Sequence, residues 1–297
     1  MAPTVLALFG PTGVGKTALA LAVADRLRAR GERPVAVSAD ALQVYAGLET
    51  LTGVATSQER ARLEHRLVAF LPVTATFSAG RYAELAHAEI DGLLADGATP
   101  IVVGGTGLYL RAALAELELR PEPPPALRAQ IVARLEHEGA AALHAGLVQR
   151  APWTVETVRP TDTHRLIRTL ELEALGALTP PRPESQLWTD ETRHPTRLVA
   201  CVMERTALDA AIDARVERMV AGGAADEVRR ADAAGASPTA RKALGFEDLL
   251  NGDPDAMARR TRRYARRQLT WLRKLPDVET VEVTGRTPEA VAAGLLA

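Results

Sequence analysis

The sequence predicts an α/β fold in which a parallel sheet is flanked by helices and carries a mainly helical insertion domain. Short apolar segments alternate with longer Ala- and Leu-rich segments over the first 120 residues, as strands alternate with helices in parallel sheets. Proline-rich segments then bound a stretch of helical composition. We therefore expect a first core segment at 1–120, the insertion at 121–195, and a second core segment with a basic C-terminal helix at 196–297.

A glycine-rich segment lies between the first apolar run, Thr4–Phe9, and the helical segment Ala18–Leu27. It matches the phosphate-loop pattern G-x-x-x-x-G-K-[ST] at every position and predicts a P-loop NTPase-like sheet. This order of elements places backbone N–H groups at a helix N-terminus, which attracts an anion. Lys16 would contact the outer phosphates and the Thr17 hydroxyl would ligate Mg²⁺. The loop alone does not decide between ATP, GTP and another diphosphate. Its residues are Gly10, Pro11, Thr12, Gly13, Val14, Gly15, Lys16 and Thr17.

A carboxylate is expected beside the phosphate loop. The second predicted strand, Pro34–Ser38, ends just before Asp40, and ligands gather at the carboxyl ends of parallel strands. Asp40 is then a second-sphere Mg²⁺ ligand, a general base or a helix N-cap, because each role suits a carboxylate. The pattern leaves these three roles open.

A second glycine loop, Gly104–Gly107, follows the predicted strand Ile101–Val103 at the same sheet edge. Its glycines permit the close approach of a ligand, although a plain turn between strand and helix has the same composition. Between the two loops, residues 48–64 lack a clean periodicity and indicate a flexible active-site loop. A short strand is expected at Val68–Leu71, and a helix capped by Ser78 follows it.

Helical composition continues beyond the proline-rich residues 120–125. Within the insertion we expect one helix over Ala126–Leu147 and another over Asp162–Leu175, with Pro180–Pro183 closing the region. An apolar strand, Arg197–Met203, then returns the chain to the sheet.

The C-terminal part of the chain carries a strongly basic helical segment. Met257–Lys274 contains eight Arg and Lys residues and no acidic residue. Such a helix would repel itself without an anionic partner, so it indicates a site for polyphosphate or RNA rather than a solvated surface. We expect Tyr264, Leu269 and either Trp271 or Leu272 to pack inward while the arginines face outward.

Composition excludes several functional classes. The 297 residues contain one cysteine, Cys201, which rules out an internal disulfide and a cysteine-based zinc site. We expect its thiol to be a small buried hydrophobe. No apolar run approaches the ~20 residues that cross a bilayer, and no secretory leader pattern is present. We therefore expect a cytoplasmic protein without a membrane partner. A monomer is compatible with the sequence, which does not determine the oligomeric state.

Four ordered motifs resemble those of the tRNA dimethylallyltransferases, or isopentenyltransferases. The phosphate loop resembles their G-P-T-x-x-G-K-T. Ser38–Gly47 and Val103–Leu110 resemble S-x-D-S-x-Q-V-Y and V-G-G-T-x-L-Y, and Arg262–Arg273 resembles the T-R-x-Y-A-K-R-Q-x-T-W-x-R helix. The resemblance covers nearly the whole chain. It implies transfer of a dimethylallyl group from dimethylallyl diphosphate to N6 of the adenine 3′ of the anticodon in tRNA, with Mg²⁺ as cofactor.

The resemblance also implies roles for individual residues. The phosphate loop would hold the leaving diphosphate with Mg²⁺ on Thr17, and Arg215 would reach the same group. Asp40 would accept a proton from the adenine amine, and Thr106 would lie near the reacting atoms. Residues that would contact the tRNA are Ser38, Ala39, Asp40, Ala41, Leu42, Gln43, Thr106, Arg128, His164, Arg165, Leu166, Ile167, Arg168, Arg262 and Arg266.

The chain departs from the family pattern in one loop, and also at Ala41, where the family has Ser, and at Phe246, where it often has Tyr. Where the family has D-I-G-T-A-K-P, this chain has Glu49–Ala55, which keeps Thr52 but lacks the lysine and the proline. The change bears on donor affinity and RNA preference more than on the core chemistry. Three alternatives stay open: an ATP-dependent small-molecule kinase, a noncatalytic RNA-binding relative, and an enzyme that prenylates free AMP. The helical insertion favours a large RNA acceptor, because a mononucleotide needs no such reach.

Overall fold

The computed structural model describes residues 5–181 and 185–297. The chain forms two compact units, one made of Met1–Leu117 with Leu187–Ala297 and the other of Glu118–Gln186. Thr4, expected to begin the first strand, lies outside the described residues, as does part of the Pro180–Pro183 segment expected to close the insertion.

The first unit is built on a parallel sheet. The strands of the described residues are β1 (Val5–Phe9), β2 (Pro34–Ala39), β3 (Tyr45–Ala46), β4 (His65–Arg66), β5 (Leu71–Pro72), β6 (Thr99–Gly104), β7 (Thr196–Val202) and β8 (Glu279–Glu282). Six of them form one sheet in the order β4-β2-β6-β1-β7-β8, and β3 pairs with β5. Every pairing among these strands is parallel, which confirms the predicted sheet.

Helices flank the sheet and make up most of the second unit. In chain order they are α1 (Lys16–Ala29), α2 (Glu49–Thr52), α3 (Ser57–Arg62), α4 (Ala79–Ala95), α5 (Gly107–Leu114), α6 (Pro125–Glu138), α7 (Ala140–Arg150), α8 (Thr154–Thr157), α9 (Thr163–Ala174), α10 (Arg205–Ala221), α11 (Ala224–Ala233), α12 (Phe246–Leu250), α13 (Pro254–Leu272) and α14 (Pro288–Leu295). Among the described residues, no helix combines the length and apolarity that a membrane crossing needs.

The sheet register brings three strand ends together. Every residue of β1 and β2 is buried, as expected for central parallel strands. Gly104, the last residue of β6, is paired with Phe9 on one side and with Ala39 on the other. The loops that follow these three strands therefore leave the sheet at one edge, where parallel α/β proteins bind ligands.

Residues 48–64, expected as a flexible loop, form the short helices α2 and α3 instead. The buried carboxylate of Glu227 accepts hydrogen bonds from the first backbone amides of α2. A capping box between Thr56 and Glu59 begins α3. The prediction failed because Glu227, which fixes α2, is distant in sequence.

Two further elements differ from expectation. The prediction of a strand at Val68–Leu71 is wrong. Leu67 and Ala69 have left-handed φ values of 59° and 47°, which interrupt an extended segment. In this region, strand pairing is limited to the two-residue strands β4 and β5. The single helix expected over Ala126–Leu147 is broken at Gly139, which has a φ of 82° and separates α6 from α7.

The second unit has its own hydrophobic core. Its buried side chains come from α6, α7 and α9 and from Val158, and they are Ile131, Leu143, Leu147, Val158, Leu166 and Leu170. Asp162 caps α9 by accepting a hydrogen bond from Arg165 N, at the position where the sequence predicts the helix to begin.

Candidate active site

The phosphate loop connects the end of β1 to the start of α1, as predicted. Gly15 is the N-cap residue of α1, and no side chain caps that helix, so its first backbone N–H groups are available to an anion. The Lys16 ammonium donates to Gly10 O at 2.9 Å and to Pro11 O at 3.0 Å. The backbone carbonyls of the loop thus hold the Lys16 ammonium at the position where outer phosphates would bind.

Three charged side chains share this edge of the sheet. Lys16 keeps some exposed surface, but its pKa is lowered to about 8, mainly by burial of the ammonium and then by the nearby charge of Arg215, while Asp40 opposes the shift. Burial also lowers the pKa of Arg215, which Asp40 partly offsets. Two cations and one carboxylate therefore lie within mutual electrostatic reach, with a net positive charge that suits a diphosphate.

Asp40 follows β2 at the centre of the site. Its Oδ1 accepts a hydrogen bond from Leu42 N at 3.0 Å, and the residues after it form a turn rather than a helix, so the helix N-cap role is excluded. Burial raises the pKa of the Tyr264 hydroxyl, and the charge of Asp40 adds to that rise. The pKa of Tyr82 is also raised, mainly by burial and further by Tyr109 and Asp40.

The loop that departs from the family pattern holds Arg215. Ser38 Oγ donates to Gln43 Oε1 at 2.8 Å, and Gln43 Nε2 donates to Gly53 O at 3.0 Å. Arg215 Nη2 donates to Thr52 O at 3.4 Å. These hydrogen bonds hold the Glu49–Ala55 loop in place beside Arg215.

The segment expected to contact tRNA is divided by burial. Ser38 and Ala39 are buried at the end of β2, so their side chains are not presented at the surface. Asp40, Ala41, Leu42 and Gln43 are partly exposed. Ser38 acts through its bond to Gln43.

The second glycine loop packs against helix α13 and does not face an open space. A Cβ at Gly105 would overlap the side-chain amide of Gln268, and a Cβ at Gly107 would overlap the ring of Trp271. The glycines expected to admit a ligand are therefore required by protein packing. Thr106, between them, is partly exposed, and its Oγ1 lies 3.2 Å from Tyr264 Oη.

Gln268 is a site residue that sequence reasoning missed. It belongs to the buried stripe of α13, which is Met257, Thr261, Ala265 and Gln268. The signal lay in the spacing, since Tyr264, Gln268 and Trp271 follow one another at i, i+4 and i+7 and share a helix face.

The basic residues of α13 and of the two positions that follow it fall into two groups. Arg262 is ion-paired with Asp213 of α10, and Arg260 lies 3.1 Å from the buried carboxylate of Asp248; Arg259 is 3.6 Å from Asp253. The others are exposed and form no ion pair with any residue that the structure describes; these are Arg263, Arg266, Arg267, Arg273 and Lys274. We call these five residues the exposed basic face.

Two arginines of the second unit stabilise that unit internally. Glu171 is fully buried, and its carboxylate accepts from Arg128 at 2.8 Å and from Arg168 at 3.3 Å. Arg168 also donates to Pro121 O at 2.8 Å. Both arginines therefore compensate a buried charge, in addition to any contact with RNA.

The remaining candidates on α9 differ in exposure. His164 and Arg165 are exposed, and Arg165 donates to Thr157 O at 3.0 Å. Leu166 lies in the hydrophobic core of the unit, and Ile167 packs against that core. Only the first two present polar groups to solvent.

Cys201 is buried in β7, as expected of a small hydrophobe. Burial raises the pKa of its thiol to about 11, against a smaller opposing effect of Lys16. Burial therefore disfavours the thiolate, which is typical of a structural cysteine rather than of a nucleophile.

A parallel sheet with a phosphate-loop sequence after its first strand, flanked by Asp40 and Arg215, defines a protein of P-loop-like fold. A family model described as IPP transferase matches residues 43–275. A tRNA dimethylallyltransferase of Thermobifida fusca is 38% identical over 288 residues, 93% of this chain and 88% of the relative. That of Anaeromyxobacter dehalogenans is 42% identical over 276 residues, 89% of this chain and 88% of the relative. The chain belongs to the IPP transferase family.

Solved structures agree with this assignment. The tRNA isopentenylpyrophosphate transferase of Bacillus halodurans matches with a TM-score of 0.69 at 28% identity, over 98% of this chain and 93% of that protein. A eukaryotic dimethylallyltransferase acting on tRNA shares the fold with a TM-score of 0.70 at 20% identity, over 95% of this chain and 74% of that one. The predicted fold class is confirmed.

Proposed function

We propose that this protein transfers a dimethylallyl group from dimethylallyl diphosphate to N6 of the adenine 3′ of the anticodon in tRNA, with release of diphosphate. The observation that carries the proposal is the convergence of Lys16, Arg215 and Asp40 at one sheet edge in a member of the IPP transferase family. The two cations there would bind the leaving diphosphate, and the carboxylate would accept the proton that the acceptor must lose.

The cations act on bond breaking. As N6 attacks the first carbon of the dimethylallyl group, the bond from that carbon to oxygen breaks and its electron pair leaves with the diphosphate. Lys16, Arg215 and the first N–H groups of α1 stabilise the charge that develops on the departing oxygen. All three belong to helices of the first unit. They can therefore stabilise the developing charge without a rearrangement of the site.

Asp40 acts on the acceptor. The amine becomes positively charged as its new bond to carbon forms, and the Asp40 carboxylate accepts the proton that it then loses. Its bond to Leu42 N occupies Oδ1 and leaves Oδ2 for this proton. Thr106 lies on the neighbouring loop, where its hydroxyl can orient the acceptor through the pair it forms with Tyr264.

Mg²⁺ fits the groups around this loop. Thr17, the second residue of α1, offers a hydroxyl, and the diphosphate and water would supply the other oxygen ligands that Mg²⁺ prefers. The described part of the chain has no group of three or more His, Cys, Asp or Glu side chains that could hold a metal alone. When bound, Mg²⁺ neutralises charge on the leaving diphosphate.

A large RNA is the acceptor that best explains the exposed basic face. Five cations without ion-pair partners among the described residues lie on α13 or just after it, and another side of that helix contacts both glycine-rich loops. A small-molecule kinase or an AMP prenyltransferase has no use for such a face, whereas phosphates of a folded RNA neutralise it. The target base would leave its stack to reach Asp40, as bases do in other base-modifying enzymes.

The test is a transfer assay with competing acceptors. The purified protein is incubated with Mg²⁺ and dimethylallyl diphosphate, together with either unmodified tRNA or AMP, and the product nucleosides are analysed by mass. We expect one C5H8 unit on the adenine 3′ of the anticodon and none on AMP. A transcript with guanine at that position is the matched control and should stay unmodified.

Each alternative has its own outcome in this assay. Product on AMP alone would establish the mononucleotide acceptor, and tRNA binding without product would establish a noncatalytic relative. Phosphoryl transfer from ATP, measured in parallel, would establish the kinase.

A further inference from the structure

One side chain of α13 bridges the two glycine-rich loops. Gln268 Oε1 accepts a hydrogen bond from Thr12 N in the phosphate loop at 2.8 Å. Its Nε2 donates to Gly105 O in the second glycine loop at 2.7 Å. Gln268 is 5% exposed; its bond to Gly105 O is buried and its bond to Thr12 N is partly buried, so losing either partner is costly.

Only an amide of this length satisfies both loops. Thr12 N–H can only donate and Gly105 O can only accept, so the bridging group needs one acceptor and one donor at its end. A glutamate would set a second acceptor against Gly105 O, and an apolar side chain would leave both backbone groups unpaired. The two neighbours also fix which end of the amide is oxygen.

The side-chain amide of Gln268 is tightly packed. A Cβ at Gly105 would overlap Gln268 Nε2 and would lie 3.3 Å from Lys16 Nζ and 3.0 Å from Gly10 O. The amide, the lysine and the backbones of both loops are therefore in one continuous cluster. Tyr264 and Trp271, on the same face of α13, contact the second glycine loop on either side of Gln268.

We propose that Gln268 is a positioning residue that sets the separation between the phosphate loop and the second glycine loop. The first loop binds the donor diphosphate and the second carries Thr106 beside the acceptor, so the bridge holds donor and acceptor in register. Gln268 itself touches neither substrate. The inference rests on the proposed function for its kinetic part and on diphosphate binding alone for its structural part.

The principal variant is Gln268→Met, which keeps the length of the side chain and removes both hydrogen bonds. Thr270→Ala is the matched control, because Thr270 is exposed on the same helix and bonds only to Arg266 O within that helix. Three quantities are measured for each protein: the Kd of inorganic diphosphate, the donor KM and kcat with tRNA, and the Kd of tRNA. Amide hydrogen exchange of the phosphate loop is followed in parallel.

For Gln268→Met we expect about tenfold weaker diphosphate binding and about a tenfold higher donor KM, because the phosphate loop loses a buried restraint. The Kd of tRNA should stay within about twofold of wild type, and exchange at Thr12 should accelerate. Gln268→Glu should be no better than Gln268→Met, since its carboxylate repels Gly105 O. Thr270→Ala should match wild type throughout.

Wild-type diphosphate affinity and wild-type donor KM in Gln268→Met would overturn the inference. If that variant does not fold, Gly105→Ala displaces the same amide from the other side and must reproduce the weaker diphosphate binding; failure of both to fold would assign Gln268 a purely structural role and also overturn the inference. If wild type binds diphosphate but modifies no tRNA, the proposed function fails while the diphosphate comparison still decides the role of Gln268.

Discussion

The guanidinium of Arg215 lies directly against the backbone of Gly53, so closely that a methyl group at Gly53 would overlap it. Gly53 also has a left-handed φ of 65°. Thr52 O, the preceding carbonyl, accepts the hydrogen bond from Arg215. A loop that departs from the family pattern thus holds an arginine beside the proposed diphosphate site.

We expect Gly53→Ala to lower kcat/KM for the donor by at least about tenfold, because the new methyl group displaces Arg215 from the leaving diphosphate. Gly47→Ala is the matched control, since Gly47 has a φ of 90° with nothing within 4 Å of the added carbon. Both substitutions strain the backbone by about 1–2 kcal/mol, so unfolding should shift similarly. Equal transfer rates in the two variants would contradict the role of Arg215.

Asp40→Asn should separate the two functions of that carboxylate. The amide oxygen can still accept from Leu42 N, so the turn is retained, but it is a poor proton acceptor. We expect transfer to fall by about 10²–10⁴-fold, with the Kd of tRNA unchanged. Single-turnover rates and tRNA binding check this, with exposed Asp96→Asn as the control. A near wild-type single-turnover rate would require a different proton acceptor.

Diphosphate binding should depend on pH through Lys16. Its pKa of about 8 in the free protein means that the ammonium loses its proton as the pH rises through that value. We therefore expect diphosphate affinity to fall above pH 8 and binding to take up protons there, since the anion favours the charged lysine. Calorimetry in buffers of different ionisation enthalpy measures this uptake. Lys16→Met should abolish it and bind diphosphate at least about tenfold more weakly; persistent uptake would point to another group.

The same lysine should cost stability in the free protein. Its folded pKa is lower than the model-peptide value of 10.5, so the unfolded chain binds more protons between pH 8 and 10.5, and the stability of wild type rises with pH in that window. We expect Lys16→Met to be more stable than wild type at pH 7 and its advantage to shrink towards pH 10. Denaturant unfolding at several pH values checks this, and a constant difference would contradict it.

Arginines of α13 should differ in their effect on tRNA binding according to their partners. Arg266→Ala removes an exposed, unpaired charge, so it should weaken binding and reduce the slope of log K against log salt concentration by about 0.7–0.9. Arg262→Ala should change that slope less and should lower stability, because it leaves Asp213 without its partner. Filter binding across a salt series distinguishes them. Identical slopes for Arg266→Ala and wild type would remove this residue from the RNA interface.

Local pattern determined the frame of this protein. The phosphate loop, the strand before it, the helix after it and the cap at Ser78 depend on residues close in sequence, and the structure has them where the pattern predicts. The basic character of α13 is likewise a matter of composition. The family resemblance, carried by short ordered motifs, needed no tertiary information.

Tertiary structure decided which side chains are available and what each glycine is for. Residues 48–64 became ordered because Glu227, far along the chain, caps α2. Arg262 is paired by Asp213 whereas Arg266 is not, and Gly105 faces Gln268 rather than a ligand. These outcomes depend on contacts between residues more than forty positions apart, and no local periodicity encodes which distant partner a buried polar group will meet.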